Sequence, residues 1–334
     1  MYNAVSLFSG CGGSSLGYKR AGISVEYANE FVKEASDCYR LNFVTAFVDT
    51  RDIRDVKSMD ILDAIGRDRQ DLDLLDGSPP CASFSSCGKK QAGWTKAKKY
   101  STAKKKQRVD DLFYEYIRLL NELQPKVFVA ENVSGLVRGV AKGYFIDIIG
   151  KLKHCGYEVE ARLLDAIYFD VAQYRPRLFF IGVRDDLVSR NNVHPSFPAP
   201  HSHIPTLREA LEGVDASVEA EAFKLPDSVK ALYAKTARGY ADEKNFNFRR
   251  DSWNKPSYTV LASGGNPWIK SVMHPDECRK FSIAELKRIC GFPDDFKLTG
   301  TYAQQYERLG RAVPPPMMQA IAENIKVKIL EKCE

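Results

Sequence analysis

The 334-residue chain is 44% hydrophobic and 28% charged, a globular composition with length enough for one large α/β domain and a smaller second one. Its formal net charge of +6 is too small to establish a polyanionic partner without knowing where the charge lies. No stretch approaches the ~20 apolar residues that span a bilayer, and the opening MYNAVSLFSG lacks the pattern of a secretory leader; eight scattered cysteines without a Cys-x-x-Cys pair argue against zinc and fit reduced thiols in the cytoplasm.

In chain order, Ala4 to Phe8 reads as a buried strand, followed by a glycine-rich stretch and a helix to about Arg20. Val25 to Asn29 reads as a second strand, Glu30 to Leu41 as a helix, and Leu72 to Asp76 as a third strand. From Asp110 to Leu123 the residues Leu112, Phe113, Tyr116, Leu119, Leu120 and Leu123 share one helical face, and Pro125 ends it. KVFVA (126–130) is then a buried strand, Phe145 to Leu152 a helix, and Tyr157 to Leu164 and Arg177 to Val183 two more strands. This alternation predicts an α/β fold with a doubly wound, mostly parallel sheet. Beyond residue 184 the pattern weakens into Pro, Asn, Ser, Gly and aromatic residues, as expected of a second domain built from loops and short strands. Phe281 to Ile289 and Pro316 to Leu330 return to helical spacing. The expected division is a catalytic and cofactor-binding domain over 1–184, a smaller domain over 185–278, a hinge helix over 279–300, and a C-terminal segment over 301–334.

In open parallel sheets, ligands sit outside the carboxyl ends of the strands. Four features fall there. Phe8-Ser9-Gly10-Cys11-Gly12-Gly13 lets the backbone turn tightly and approach a ligand. Glu30, about twenty residues beyond the first glycine, is placed to hold two ribose hydroxyls, and Asp52-Ile53 to meet an adenine edge. Each acid alone reads more readily as a solvated one; together they describe a nucleoside pocket. The fourth is Gly77-Ser78-Pro79-Pro80-Cys81, where two prolines hold a cysteine at a strand end, in a cleft rather than the core. A lone cysteine is usually a small buried hydrophobe; here a nucleophile is the better reading.

These residues, with those that follow, make the chain resemble the cytosine carbon-5 DNA methyltransferases. SLFSGCGGSSLG (6–17), Glu30, Asp52-Ile53, GSPPCASFS (77–85), Glu131-Asn132-Val133, QYRPRLFFIGVR (173–184), RKFSIAELKRICGFP (279–293) and QQYERLGRAVPP (304–315) occur in the family's order and cover nearly everything outside 185–275. The resemblance implies a Rossmann-like catalytic domain that binds S-adenosylmethionine, a target-recognition domain, and a cleft for double-stranded DNA between them. It also implies that the last helix packs back on the large domain, and that Phe8, Glu30, Ile53 and Leu112 line the S-adenosyl pocket. Phe31, Ser78, Pro79, Arg311 and Ala312 are further cofactor-side candidates.

The chemistry requires such residues. Carbon 5 of cytosine is a poor nucleophile until a thiolate adds to carbon 6. A free thiol, with a pKa near 8.5, needs help to ionise, and Pro79-Pro80 supplies orientation. Glu131 is placed to hydrogen-bond ring nitrogen 3 and the amine, which calls for a carboxyl pKa raised by burial. Arg177 is placed to grip the ring oxygen, with Arg175 in support; a phosphate contact or structural ion pair is the alternative for either. The target base must be flipped from the duplex. The basic stretch KKQAGWTKAKKYSTAKKKQR (89–108), beginning with Lys89 and Lys90 just beyond Ser85, reads as a loop that closes over phosphates. Arg249, Arg250, Trp253 and PSYTVLASGGNPW (256–268) are the expected DNA contacts of the second domain, with Gly264-Gly265 letting a loop enter a groove.

One position departs from the family pattern. The usual Gly-Asn-x-Val is Gly310-Arg311-Ala312-Val313 here. A guanidinium about 5 Å from a sulfonium costs on the order of 3 kcal/mol at an effective dielectric of ~20. The cofactor's own carboxylate, a DNA phosphate or protein acid, or a carboxylate on the transferred group, as in carboxy-S-adenosylmethionine, could offset it. The last would make the product 5-carboxymethylcytosine. An RNA cytosine methyltransferase and a non-catalytic DNA-binding relative are the competing readings. A monomer in the cytoplasm of a bacterium or phage host, associated with the nucleoid and without metal or membrane, is expected.

Overall fold

A computed structural model describes residues 1–80, 112–137, 141–215, 217–245 and 247–333. Seven strands form the main sheet in the order β3–β2–β1–β4–β5–β7–β6. They are β1 (Tyr2–Leu7), β2 (Ile23–Asn29), β3 (Phe47–Asp49), β4 (Leu74–Gly77), β5 (Val127–Val133), β6 (Tyr157–Asp165) and β7 (Pro176–Arg184). Strand order reverses between β1 and β4, so the crevice where ligands bind such sheets opens beyond Leu7 and Gly77.

The sheet differs from the sequence expectation at three points. β7 runs antiparallel to both neighbours, β5 and β6, while the remaining ladders are parallel. Its reversal brings Pro176 and Arg177, at its start, to the edge where the parallel strands end. β5 runs past Ala130 to Val133, so Glu131 lies within the strand rather than beyond its end. β3, which the sequence pattern does not reveal, has only three residues, and its Phe47 is exposed.

Alternate side chains of the central strands feed two cores. Val5, Leu7, Leu75, Phe128 and Phe180 pack against α3 (Ser58–Ile65), α4 (Leu112–Leu123) and α5 (Ala141–His154). Ala4, Leu74, Val127, Val129 and Ile181 face α1 (Gly13–Arg20) and the last long helix. On α4, the stripe read from the sequence, Leu112, Phe113, Tyr116, Leu119, Leu120 and Leu123, is buried throughout, and Ile117 is buried with it. Each such side chain contributes roughly 1.5–3 kcal/mol. α2 (Lys33–Asn42) begins three residues later than expected. Glu30 cannot join it, because its carboxylate accepts the backbone N–H of Gly10 at 2.8 Å and of Val32 at 2.7 Å.

The second region holds α6 (Asp185–Asn191), α7 (Leu207–Ala210), α8 (Ala220–Phe223) and α9 (Asp227–Lys235). It also holds a three-stranded sheet of β8 (Tyr240–Ala241), β9 (Arg249–Arg250) and β10 (Val272–Met273), with β9 in the middle. The helices went unread because the first three carry too few turns to show a period. Tyr174 N–H donates to the Ser257 carbonyl at 2.9 Å and the Thr259 hydroxyl to the Tyr174 carbonyl at 2.6 Å, tying this region to the segment that leads into β7.

α10 (Ile283–Ile289) and α11 (Tyr302–Arg311) both start with capping boxes, Ser282 with Glu285 and Thr301 with Gln304. α12 (Pro315–Lys328) then lays Met317, Met318, Ile321 and Ile325 on the sheet beside Tyr18 and Ile23. A third core joins Cys38, Tyr39 and Phe43 of the first region to Leu207, Val260, Phe281 and Tyr306.

Candidate active site

The crevice is a cavity of about 570 Å³, within the range of ~300–1,000 Å³ usual for small-molecule sites. At one end it is lined by Phe8, Ser9, Gly10, Cys11, Gly13, Glu30, Phe31, Asp52, Ile53 and Leu112. Phe8 holds a positive φ of 56°, uncommon for a non-glycine residue. Gly12 is not in the wall. Its φ of 96° and the Phe43 ring, 2.2 Å from where a Cβ would stand, explain the glycine by turn geometry and packing instead. The Cys11 thiol, buried and pushed up to about 12 by desolvation, is inert; it faces the Arg308 carbonyl at 3.8 Å. Asp52 caps the short turn Ile53–Asp55 and pairs with Arg54 at 3.1 Å. Apolar Phe8, Ile53 and Leu112 with the acid Glu30 fit an adenosyl group: flat apolar walls for a purine, and a carboxylate for ribose hydroxyls.

At the other end stand Ser78, Pro79, Pro80, Glu131, Arg175 and Arg177. The Ser78 N–H donates to the Leu7 carbonyl at 3.3 Å, and the Asn132 amide donates to the Pro79 carbonyl at 3.2 Å. The turn that leads to position 81 is thus held from β1 and β5. Cys81 itself lies outside the described residues, as do Ser85, Lys89, Lys90 and the rest of the basic stretch. Asn132, unassigned in the sequence reading, is the clamp on the Pro-Pro turn; its place beside Glu131 was the available signal.

Glu131 and Arg177 are diagonal neighbours on β5 and β7, and the Arg177 Nε lies 2.9 Å from Glu131 Oε1. Burial pushes the Glu131 carboxyl up, opposed by Arg177, Arg175 and a bond from Ser78. Burial lowers the Arg177 guanidinium, opposed by Glu131. Arg175 is 1% exposed and acts elsewhere: its Nη2 donates to the Gly310 carbonyl at 2.9 Å, joining the start of β7 to α11. Burial pushes it down to about 9. Asp76, one residue before the Gly77 turn, accepts from Ser6 at 2.9 Å and Tyr18 at 3.1 Å, and burial pushes it up to about 7.

Arg311 lines the cavity, and so does Glu307 one turn before it. Its Nε and Nη2 lie 2.9 and 2.8 Å from Glu307 Oε1, while Arg308 reaches Glu307 Oε2 at 3.2 Å. A protein acid therefore meets the charge that the sequence left to be offset. Arg308 and Glu307 carried no sequence signal of their own, since their pairing depends on helix rotation.

The second region sends Arg249, Tyr258, Thr259, Val260, Leu261 and Ala262 into the cavity wall. Arg249 stacks on the Tyr258 ring with its guanidinium 4.2 Å from the centroid. Three of the expected DNA contacts also have structural work. Arg250 stacks on Tyr233 at 4.3 Å and donates to the Pro275 carbonyl at 2.8 Å, so it ties the small sheet together. Gly264 and Gly265 are buried, and an added Cβ would stand 2.5 and 2.8 Å from Tyr306 atoms. Close packing on α11 accounts for the pair.

A family model described as C-5 cytosine-specific DNA methylase matches residues 2–327. The chain belongs to that family. It is 32% identical to the Type II methyltransferase M.Sau96I of Staphylococcus aureus, over 97% of this chain and 75% of that protein. It is 31% identical to M.FnuDI of Fusobacterium nucleatum, over 98% and 95%. Among solved structures, a prophage-encoded Escherichia coli protein assigned as a DNA modification methyltransferase aligns with a TM-score of 0.78 at 22% identity, over 99% and 100% of the two chains. The Dnmt2 methyltransferase of S. pombe aligns with a TM-score of 0.67 at 15% identity, over 99% and 98%. As a cytosine-5 methylase, the protein carries this family's α/β fold. Among its described residues no helix is long and apolar enough to cross a membrane, and no cluster of three metal-ligating side chains occurs.

Proposed function

We propose that this methylase modifies carbon 5 of a cytosine flipped out of double-stranded DNA, through a covalent bond from Cys81 to carbon 6. The observation that carries the reading is the Glu131–Arg177 pair, 2.9 Å apart in the wall that also holds the Ser78-Pro79-Pro80 turn. S-adenosylmethionine, when bound by Phe8, Glu30, Ile53 and Leu112, supplies an activated methyl group.

The chain's own residues do the rest. The Cys81 thiolate adds to carbon 6, and the electron pair released into the ring makes carbon 5 nucleophilic. Glu131, its carboxyl pushed up by burial, donates a proton to ring nitrogen 3 as that addition occurs. Arg177 holds Glu131 in place and, through its remaining N–H groups, the ring oxygen. After alkylation the carbon-5 proton leaves to a base, Cys81 departs with its electron pair, restoring the double bond, and the proton on ring nitrogen 3 returns to Glu131. The energy of unstacking the base, a few kcal/mol, is met by contacts to DNA, which in this reading come from Arg249 and the basic stretch beginning at Lys89. A monomeric cytoplasmic enzyme without a metal suffices for this scheme.

Arg311 bears on the donor. Glu307, 2.8 Å from Arg311, also pairs with Arg308, and Glu30 lies close enough to feel both guanidiniums; two acids thus face two arginines, and a plain sulfonium donor meets little net repulsion. The methyl donor is accordingly favoured over carboxy-S-adenosylmethionine. Purified protein should be given duplex DNA or transfer RNA with each donor separately, and the nucleosides analysed by mass. The expected product is 5-methylcytosine, in DNA. A carboxymethylated product, modification of RNA alone, or no modification would overturn this reading in its donor, its substrate or its chemistry.

A further inference from the structure

One loop leaves the cavity wall and returns to it. Leu261 and Ala262 line the cavity, and Val272 lines it again. Both feet of this loop are fixed. Gly264 and Gly265 lie against Tyr306 of α11. Lys280, 1% exposed, turns its ammonium inward and donates to the carbonyls of Gly264, Asn266 and Ile269. Three carbonyl dipoles take the place of a carboxylate in satisfying the three ammonium hydrogens. The loop is also bonded within itself, Trp268 N–H to the Asn266 side chain at 2.9 Å and Ile269 N–H to the Asn266 carbonyl at 3.0 Å.

At the tip of this firmly held loop the Trp268 indole is 73% exposed. Mobile loops leave apolar side chains outside because nothing holds them in; this backbone is anchored at every turn, and the indole still points out. The same segment carries cations: Lys270, two residues on, bonds Asn245, and Arg249 of β9, whose N–H donates to the Ser271 carbonyl at 3.2 Å, stacks on Tyr258 in the cavity wall. A flat apolar ring on a rigid mount beside cations matches a nucleobase face, since base–aromatic stacking needs no particular sequence.

We propose that residues 266–269 form a preformed wedge whose Trp268 stacks on a base of the duplex next to the target cytosine, with Lys280 as the positioning residue that holds it. This rests on the reading of the protein as an enzyme of duplex DNA. Preformation has a purpose: a wedge ordered before binding spends none of the contact energy on its own ordering, leaving it to unstack the target.

The test starts from DNA of cells expressing the wild-type chain, sequenced for modified cytosines to give the target site. Binding to a fluorescent duplex carrying that site is then measured by anisotropy for wild type, Trp268→Ala and Trp268→Phe, with S-adenosylhomocysteine affinity as the control. Trp268→Ala should weaken duplex binding by roughly tenfold, with cofactor affinity unchanged, and Trp268→Phe should recover most of the loss. Lys280→Met should weaken duplex binding similarly, and the double variant should be no worse than Trp268→Ala. If Lys280→Met fails to fold, the two Trp268 variants still decide. Unchanged duplex binding and modification by Trp268→Ala overturns the wedge, as does a change confined to oligomeric state. Absence of modified cytosine with the wild-type chain overturns the underlying reading, and the wedge with it.

Discussion

Asp76 offers a direct reading of what the catalytic edge costs in stability. Its carboxyl accepts from Ser6 on β1 and Tyr18 on α1, with Tyr116 of α4 and Tyr39 of α2 nearby and Glu131 of β5 on the same face of the sheet. Burial raises it from 3.8 to about 7. Because the folded value lies above the unfolded one, the folded chain keeps a proton that the unfolded chain has lost. The stability this contributes is full below about pH 4 and disappears as pH rises through about 7. Roughly three pKa units at ~1.36 kcal/mol each make this about 4 kcal/mol, of which ~3 falls between about pH 5 and about pH 8. Asp76→Asn cannot ionise, and it gives up one of two accepted hydrogen bonds at a cost of about 1 kcal/mol at any pH. Urea unfolding of both proteins at the two pH values therefore should show the asparagine variant gaining on wild type by roughly 2–3 kcal/mol from acid to alkaline. Titrating groups not coupled to Asp76 cancel in that difference. A difference constant with pH would refute the claim that a protonatable carboxyl is buried there.

Glu131→Gln should fold normally and lose at least about 100-fold in kcat, measured by tritium transfer from the donor. In wild type the raised Glu131 carboxyl is protonated at low pH and loses its proton as pH rises, so kcat should fall on the alkaline side, and the glutamine variant should lack that limb. Gly264→Ala should lower stability by roughly 1–3 kcal/mol, read as a drop in Tm, because its Cβ would stand 2.5 Å from the Tyr306 ring. Arg311→Asn removes one of the two arginines paired with Glu307 and keeps Arg308. Methyl-donor KM should change by less than about tenfold, within the ~1.4 kcal/mol expected of a half-exposed pair, as titration with labelled donor will show.

The parts of this molecule legible in its sequence are those set by local pattern. Continuous apolar strands, the α4 stripe and the glycine turn after β1 each carry their cause within a dozen residues, and the acids at strand ends follow from them. What escaped depends on partners distant in the chain. An apolar run such as Leu178–Val183, buried on both faces, reads alike in either direction, so the antiparallel course of β7 was invisible. Gly264-Gly265 sits in a run of Ser, Gly and Asn that looks like a turn, whereas the ring that demands small residues comes from Tyr306 on another helix. Arg250 looks like any exposed basic residue until Tyr233 and the Pro275 carbonyl are brought beside it. The departure at Arg311 was visible, but its answer, Glu307, becomes one only when α11 places the two residues on a single face.

The central claim is that the sulfur of Cys81 bonds to the target ring. It is tested most directly by incubating the protein, duplex DNA containing 5-fluorocytosine at its target site, and S-adenosylmethionine, then resolving the mixture under denaturing conditions. Wild-type protein should remain attached to the DNA, while Cys81→Ser should release it and leave ordinary cytosine unmodified. DNA modification by the serine variant at the wild-type rate would contradict the account.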